Sequence, residues 1–386
     1  MKILLFIDQY DSANNGTTIS ARRFAEELMR RGHEVRVVCA GDSSDETRYC
    51  VRALRIPGFN RIIRKQGMVL ARPDDSVLTR ALDWADVAHF LFPFWLSARG
   101  KELADEMGVP STAAFHVQPE NITYNIGLSR FDMPSRLLYD VLHNFYAGFT
   151  HIHCPSRFIA NELKRHGYEA KLHVISNGVG EGFAYRKLPK TPELAGKFVV
   201  LMIGRLSREK RQDVLIDAIR RSKYADRIQL MLAGKGPRHE FYAREGKTLP
   251  NPVSIGFYEE APLKDLLAMT DLYVHASDIE IEAISCIEAF ASGLVPVIAN
   301  SAKSATPQFA LDHRSLFRQG DSADLAGKID YWIEHEEERK GMERIYAETG
   351  KEYAIGECVE KIERMFREAI ADNRQEAWVY DYRTQE

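Results

Sequence analysis

The chain has 386 residues, 45% hydrophobic and 28% charged, the balance of a soluble globular protein too long for one ordinary core, so two domains are expected. A formal net charge of −3 argues against a general nucleic-acid binder, which carries a strong basic excess. Five scattered cysteines (Cys39, Cys50, Cys154, Cys286 and Cys358) form no CxxC pair, which argues against a disulfide framework or zinc knuckle and fits a reducing compartment.

The apolar run at residues 2–8 is stopped by Asp8 too early for a secretory signal and reads as a buried first strand. Residues 17–31 then place Ile19, Phe24 and Leu28 at helical spacing, Gly32 stops the helix, and 35–39 is the next strand. Further strands are expected at 87–91, 112–116, 151–154 and 171–175, with helices at 101–107, 134–149 and 157–166. Between 178 and 197 the pattern lapses at Gly180, Gly182, Pro189 and Pro192, a linker signal. Strands resume at 198–203, 228–233, 253–256, 272–275 and 295–299, separated by helices at 211–221, 262–269 and 284–291, and from Asp321 the pattern is helical. Alternating strands and helices predict parallel, doubly wound sheets in an α/β fold. The expected division is a first domain over 1–180, a linker over 181–197 and a second domain over 198–386, whose last helices can pack back on the first. No stretch approaches the roughly 20 apolar residues of a membrane span, so the protein is expected to be cytoplasmic and at most peripheral to a membrane.

The most specific chemical pattern is Ser277-Asp-Ile-Glu280-Ile-Glu-Ala283-Ile284-Ser-Cys-Ile-Glu288, two glutamates eight positions apart. Glu280 falls in the loop after a strand and Glu288 inside the following helix, whose start suits a phosphate. A carboxylate there can hold sugar hydroxyls, whereas a bare pair at this spacing can also be two solvated helix residues. The flanking Ala-Ser-Gly-Leu-Val-Pro-Val, a helix stop and a buried strand, weighs against coincidence. A second pattern, Gly204-Arg205-Leu-Ser-Arg-Glu-Lys210-Arg211, also follows a strand. Arg205 can grip phosphate oxygens in a fork and Lys210 can add a point charge, or the run is a solvated basic helix entry. Asn14-Asn15-Gly16-Thr17-Thr18 follows the first strand; Gly16 permits close backbone approach to a ligand, and Thr17 or Thr18 can cap the helix. His116 ends a strand at the same sheet edge, in Phe115-His-Val-Gln-Pro-Glu120-Asn-Ile-Thr-Tyr-Asn125. There is no phosphate-binding P-loop, no G-x-G-x-x-G, no G-x-S-x-G, no H-E-x-x-H and no Asp-x-Asp pair to hold a metal.

On these motifs the chain resembles the retaining glycosyltransferase family 4, of GT-B fold, over nearly its whole length. The runs Phe115–Asn125, 153–158 and 298–310 are similar to its bacterial glycolipid-forming branch, which holds cholesterol and diacylglycerol α-glucosyltransferases. The resemblance implies two Rossmann-like domains facing a central cleft. Arg205 and Lys210, with Gly204, match the positions that contact the donor diphosphate, in place of a metal. Glu280 matches the glutamate that contacts the transferred sugar, with Ala283 and Ile284 beside it, and Glu288 matches the one that holds the ribose. His116 matches the histidine beside the reacting centre, Gly16 the glycine loop near the phosphate, and Gly256 with Phe257 the loop under the nucleotide base. Many relatives carry Pro-Phe-Gly after the first glutamate, where this chain has Ile281-Glu282-Ala283.

The resemblance implies transfer of a hexose, glucose from UDP-glucose, onto a membrane lipid with retention of the α configuration, with no cofactor and no metal. A lipid acceptor needs a membrane surface, and residues 59–72 interleave Arg61, Arg64, Lys65 and Arg72 with Phe59, Ile62, Ile63, Met68, Val69 and Leu70. Such a segment can lie on the anionic inner face of the cell membrane. The competing readings are a family 4 transferase with a soluble sugar or polyol acceptor, a non-catalytic nucleotide-sugar-binding protein, and a nucleotide-sugar epimerase.

Overall fold

The computed structural model describes residues 1–11, 16–54, 69–125 and 132–384. The chain divides into two compact units, one of Met1–Pro119, Phe131–Gly178 and Ile355–Glu386, the other of Glu120–Arg130 and Val179–Ala354. The stretch 181–197, expected to be a linker, groups with the second unit.

In the first unit seven parallel strands run in the order β3-β2-β1-β4-β5-β6-β7. They are β1 Lys2–Phe6, β2 Glu34–Ala40, β3 Arg48–Val51, β4 Val87–Phe90, β5 Ser111–Ala114, β6 His151–Cys154 and β7 Lys171–Val174. Central β1 pairs Ile3 with Val35 on one side and with Val87 on the other. Such strands are covered on both faces, which is why they read as unbroken apolar runs. The helix Gly16–Arg30 buries Phe24 and Leu28 in a cluster that also takes Ile362, Met365 and Phe366 from the last helix, Ile355–Thr384. A buried carboxylate pins that helix: Glu363 accepts from Arg31 Nη2 at 3.1 Å and lies 2.6 Å from His33 Nε2.

The second unit repeats the plan with six parallel strands in the order β10-β9-β8-β11-β12-β13. These are β8 Phe198–Ile203, β9 Ile228–Ala233, β10 Ser254–Gly256, β11 Leu272–His275, β12 Pro296–Asn300 and β13 Leu316–Arg318. Counted from its own first strand this is 3-2-1-4-5-6, the doubly wound dinucleotide-binding order, in which ligands sit at the carboxyl ends of the strands. Those ends are where Gly204, Arg205, Phe257 and the loop to Glu280 emerge.

Several expected boundaries move. The strand expected to run to His116 ends at Ala114, so Phe115 and His116 belong to the loop beyond it. The strand at 2–8 ends at Phe6. The edge strands β3 and β13, the helix Asp75–Trp84 and the short helix Pro119–Asn125 carry no counterpart in the sequence reading. Most of the basic segment 59–72 lies outside the described residues.

Candidate active site

The site in the second unit is built on two turns that leave neighbouring strands. β8 delivers Gly204 and Arg205, then a 3-10 turn at Arg208–Lys210, then the helix Gln212–Arg221. Arg211, between turn and helix, takes a left-handed backbone (φ 56°). The Arg205 side chain is exposed, while its carbonyl accepts from Gln212 Nε2 at 2.9 Å, which fixes the turn. β11 ends at His275, and the loop beyond it carries Glu280 before the helix Ile284–Ala291 begins.

Glu280 is where the two turns meet. Its Oε1 accepts from Lys210 Nζ and lies 2.9 Å from Nε2 of buried His275. An ionised carboxylate only accepts, so His275 donates from Nε2, and its Nδ1 accepts from the Tyr273 hydroxyl at 3.0 Å. Burial works to raise the Glu280 carboxyl, but the Lys210 charge and the His275 hydrogen bond outweigh it, and the group is held well below the usual carboxylate range. Glu280 is therefore a buried anion at neutral pH. Its loop is fixed by backbone contacts: the Asp278 amide donates to the Glu209 carbonyl at 2.8 Å, and the Ala305 amide donates to the Glu280 carbonyl at 2.9 Å. Asp278 itself accepts from Arg211 Nη1 at 3.1 Å, Gln319 Nε2 at 2.7 Å and the Tyr124 hydroxyl at 3.0 Å.

Ala283 caps the helix Ile284–Ala291 with φ 74° and ψ 72°, the left-handed conformation that favours glycine. Glu288 is buried in the body of that helix, its carbonyl accepting from Ser292. Gly256 ends β10 and Phe257 follows it, its exposed ring 3.9 Å from Lys235 Nζ. The structure thus brings Gly204, Lys210, Glu280, Ala283 and Ile284 onto adjoining turns of one sheet edge.

Gly16 and His116 belong to the first unit, at the carboxyl edge of β1 and β5. Gly16 is exposed at the start of its helix. Thr18 does not cap that helix: its hydroxyl donates to the Gln9 carbonyl at 3.0 Å. His116 is buried with its ring centroid 5.5 Å from that of His153, and burial first, then His153 and His89, keeps it well below the usual imidazole range. It is a neutral imidazole at neutral pH.

Residues 14–181 match the family described as Glycosyltransferase Family 4, and residues 186–348 match Glycosyl transferases group 1, together most of the chain. The chain belongs to glycosyltransferase family 4. The transferase is 27% identical over 316 residues to the alpha-monoglucosyldiacylglycerol synthase of Streptococcus pneumoniae, which covers 78% of this chain and 71% of the relative. The catalytic domain of cholesterol-alpha-glucosyltransferase from Helicobacter pylori is 46% identical across 41% of this chain and 99% of that one, with a TM-score of 0.40. The Anabaena HepE protein crystallised with UDP-glucose is 18% identical with a TM-score of 0.70, over 95% of this chain and 100% of that one. Its likeness places the transferase's two Rossmann-like units in the GT-B fold. Among the described residues no helix of the transferase is long and apolar enough to cross a membrane.

Two parts of the transferase site escaped the sequence reading. His275 closes a buried strand and looks like core, yet it is the second donor on Glu280. Gly234-Lys235-Gly236, after β9, looks like a plain turn but interlocks with the Arg205 turn through the Leu206 amide, which donates to the Lys235 carbonyl at 3.0 Å, and with the end of β10 through the Gly234 amide, which donates to the Gly256 carbonyl at 2.7 Å. Two glycines spaced one apart behind a buried strand were the signal available for it.

Proposed function

We propose that this transferase moves glucose from UDP-glucose onto a hydroxyl of a membrane lipid, diacylglycerol or a sterol, with retention of the α configuration and without a metal. The observation that carries the reading is the buried Glu280 anion, fixed between Lys210 and His275 at the carboxyl edge of a nucleotide-binding sheet. The lipid acceptor is supported by the relative named for making alpha-monoglucosyldiacylglycerol.

Both donors on Glu280 share Oε1, and Oε2 is assigned to a sugar hydroxyl. Arg205 and Lys210 supply two positive charges for the diphosphate, with Gly204 giving its backbone room. Ala283 and Ile284 are assigned to the sugar, Glu288 to the ribose, and Gly256 with Phe257 to the base. Gly16 and His116 keep, within this proposal, the roles that the resemblance implies. In the reaction the bond between C1 and the diphosphate oxygen breaks, and C1 bonds to the acceptor oxygen on the same face. The acceptor proton passes to the departing diphosphate. The protein's contribution is orientation and electrostatic stabilisation of that leaving group. A lipid acceptor calls for an anionic membrane surface, at the inner face of the cell membrane, with residues 59–72 as its contact.

The test is incubation with UDP-sugars and with neutral or anionic vesicles containing diacylglycerol or sterol, in EDTA, read by mass spectrometry and by the anomeric proton coupling of the product. An α-glucolipid is expected, made faster on anionic vesicles, and Lys210→Ala is expected to lower kcat at least ~10²-fold, the scale of one electrostatic contact. Glucosylation of soluble sugars alone, a β-linked product, or near-normal turnover by folded Lys210→Ala would overturn the reading.

A further inference from the structure

The titratable groups of the first unit hold a second constellation, on its last two strands. His151 opens β6 at its amino end, opposite the edge where doubly wound sheets bind ligands. His173 lies on the neighbouring edge strand β7, two register steps along and on the same face. The last helix crosses above them with Glu368 and Asp372 one turn apart.

We propose that His151, His173 and Glu368 form a site for a borderline divalent cation of the Zn²⁺ type, oriented by Asp372, which staples the last helix to the sheet. One ligand atom each of His151, His173 and Glu368 lies within 4.8 Å of the other two, a metal-competent group among the described residues. Two imidazoles and a carboxylate, with water in the fourth position, are a familiar Zn²⁺ ligand set.

The tautomers follow from the hydrogen bonds. His151 Nε2 lies 3.0 Å from Asp372 Oδ2, which only accepts, so the ring donates there and turns the Nδ1 lone pair towards His173. A carboxylate behind a ligating histidine is the usual outer partner at such sites. Lys171 Nζ, 2.6 Å from the same Asp372 oxygen, holds that carboxylate in place. The nitrogens His151 Nδ1 and His173 Nε2 are 2.9 Å apart, bridged in the empty site by the His173 proton. Tetrahedral Zn–N bonds of ~2.05 Å set two nitrogens about 3.3 Å apart, so a cation replaces that proton after an opening of a few tenths of an ångström. His151 is buried, His173 half-buried and Glu368 exposed, which gives a rigid floor and a solvent-open entrance.

The experiment uses the tag-free full chain stripped with EDTA, then given Zn²⁺ or Mg²⁺, with bound metal measured by mass spectrometry of the desalted protein and stability by thermal denaturation. One Zn²⁺ per chain and a rise in Tm of about 2–6 °C are expected at saturation, with no response to Mg²⁺. His173→Ala should lose both, and Asp372→Asn should weaken binding about 10–100-fold while leaving the ligands in place. Glucosyl transfer should be the same in every variant, which separates this site from the proposed function. Zn²⁺ retained at the same stoichiometry and affinity by both His173→Ala and Glu368→Gln, or no Zn²⁺-dependent rise in Tm in the unsubstituted chain, overturns the proposal.

Discussion

Ala283 shows how much one backbone conformation is asked to carry. It holds φ 74° at the cap of the helix Ile284–Ala291, directly after the loop that bears Glu280. A left-handed backbone costs an alanine roughly 1–2 kcal/mol that glycine does not incur. Ala283→Gly is therefore expected to raise stability by about 1 kcal/mol, net of the glycine's larger loss of freedom on folding. Ala283→Val, branched at Cβ, should instead destabilise. Urea midpoints of the two variants check this, and a glycine variant less stable than the parent would show that the methyl's packing outweighs its strain. The sequence marked this position through the departure from Pro-Phe-Gly, but the sign of φ was not legible there. Glu280 was legible because spacing and flanking punctuation carry it. His275 was not, because a histidine ending an apolar strand has the same pattern whether it fills core or donates to a carboxylate.

At the level of elements, the site depends on how closely the loops after β8 and β9 pack. A Cβ on Gly234 would stand 2.0 Å from the Gly204 carbonyl oxygen, and one on Gly236 would stand 2.3 Å from that of Leu206. Backbone cannot yield as a side chain tip does, so Gly234→Ala must displace the Arg205 turn. The expected outcome is a loss of about 1–3 kcal/mol from overpacking and at least ~10² in kcat/KM for donor, the scale of a 1 Å misplacement. Gly327→Ala is the control: it lies exposed inside the helix Ser322–Glu334 with nothing near its Cβ, and should be neutral or stabilising. Equal donor kinetics for Gly234→Ala and the parent would sink the argument. Strands such as Phe198–Ile203, Ile228–Ala233 and Leu272–His275 were legible to the residue because burial on both faces makes them nearly continuous apolar runs. Arg48–Val51 and Leu316–Arg318 were not: they are short edge strands, half polar, whose pairing depends on a neighbour that local pattern does not reveal.

On the scale of a whole unit, the first one buries three imidazoles together. Ring centroids of His89 and His116 lie 6.1 and 5.5 Å from that of His153. Burial, then the neighbouring His153, pushes His89 down to about 3. Burial, partly offset by the hydrogen bond to the Ile175 carbonyl, pushes His153 down to about 4, and His116 is also held well below its usual value. His153 donates from Nε2 to that carbonyl at 2.7 Å, and its Nδ1 has no hydrogen-bond partner among the described residues, so a second proton would find no acceptor. All three are bases whose folded pKa lies below the unfolded value near 6.5. Below that pH the unfolded chain takes up protons that the folded unit refuses, so stability is complete above about 6.5 and falls as pH drops towards 4. Each histidine contributes a slope approaching about 1.4 kcal/mol per pH unit in that window. Asp8 runs the other way: burial pushes its carboxyl up to about 6, so between 6 and its unfolded value the folded unit gains the proton first. Three histidines against one aspartate leave a net loss approaching about 3 kcal/mol per pH unit near pH 5. Against an ordinary stability of about 5–15 kcal/mol, that slope removes a large share of the first unit's stability by pH 5. Urea midpoints followed by circular dichroism should therefore drop steeply from pH 6.5 to 5, and a flat midpoint across that range would mean that the three rings take up protons in place without unfolding the sheet.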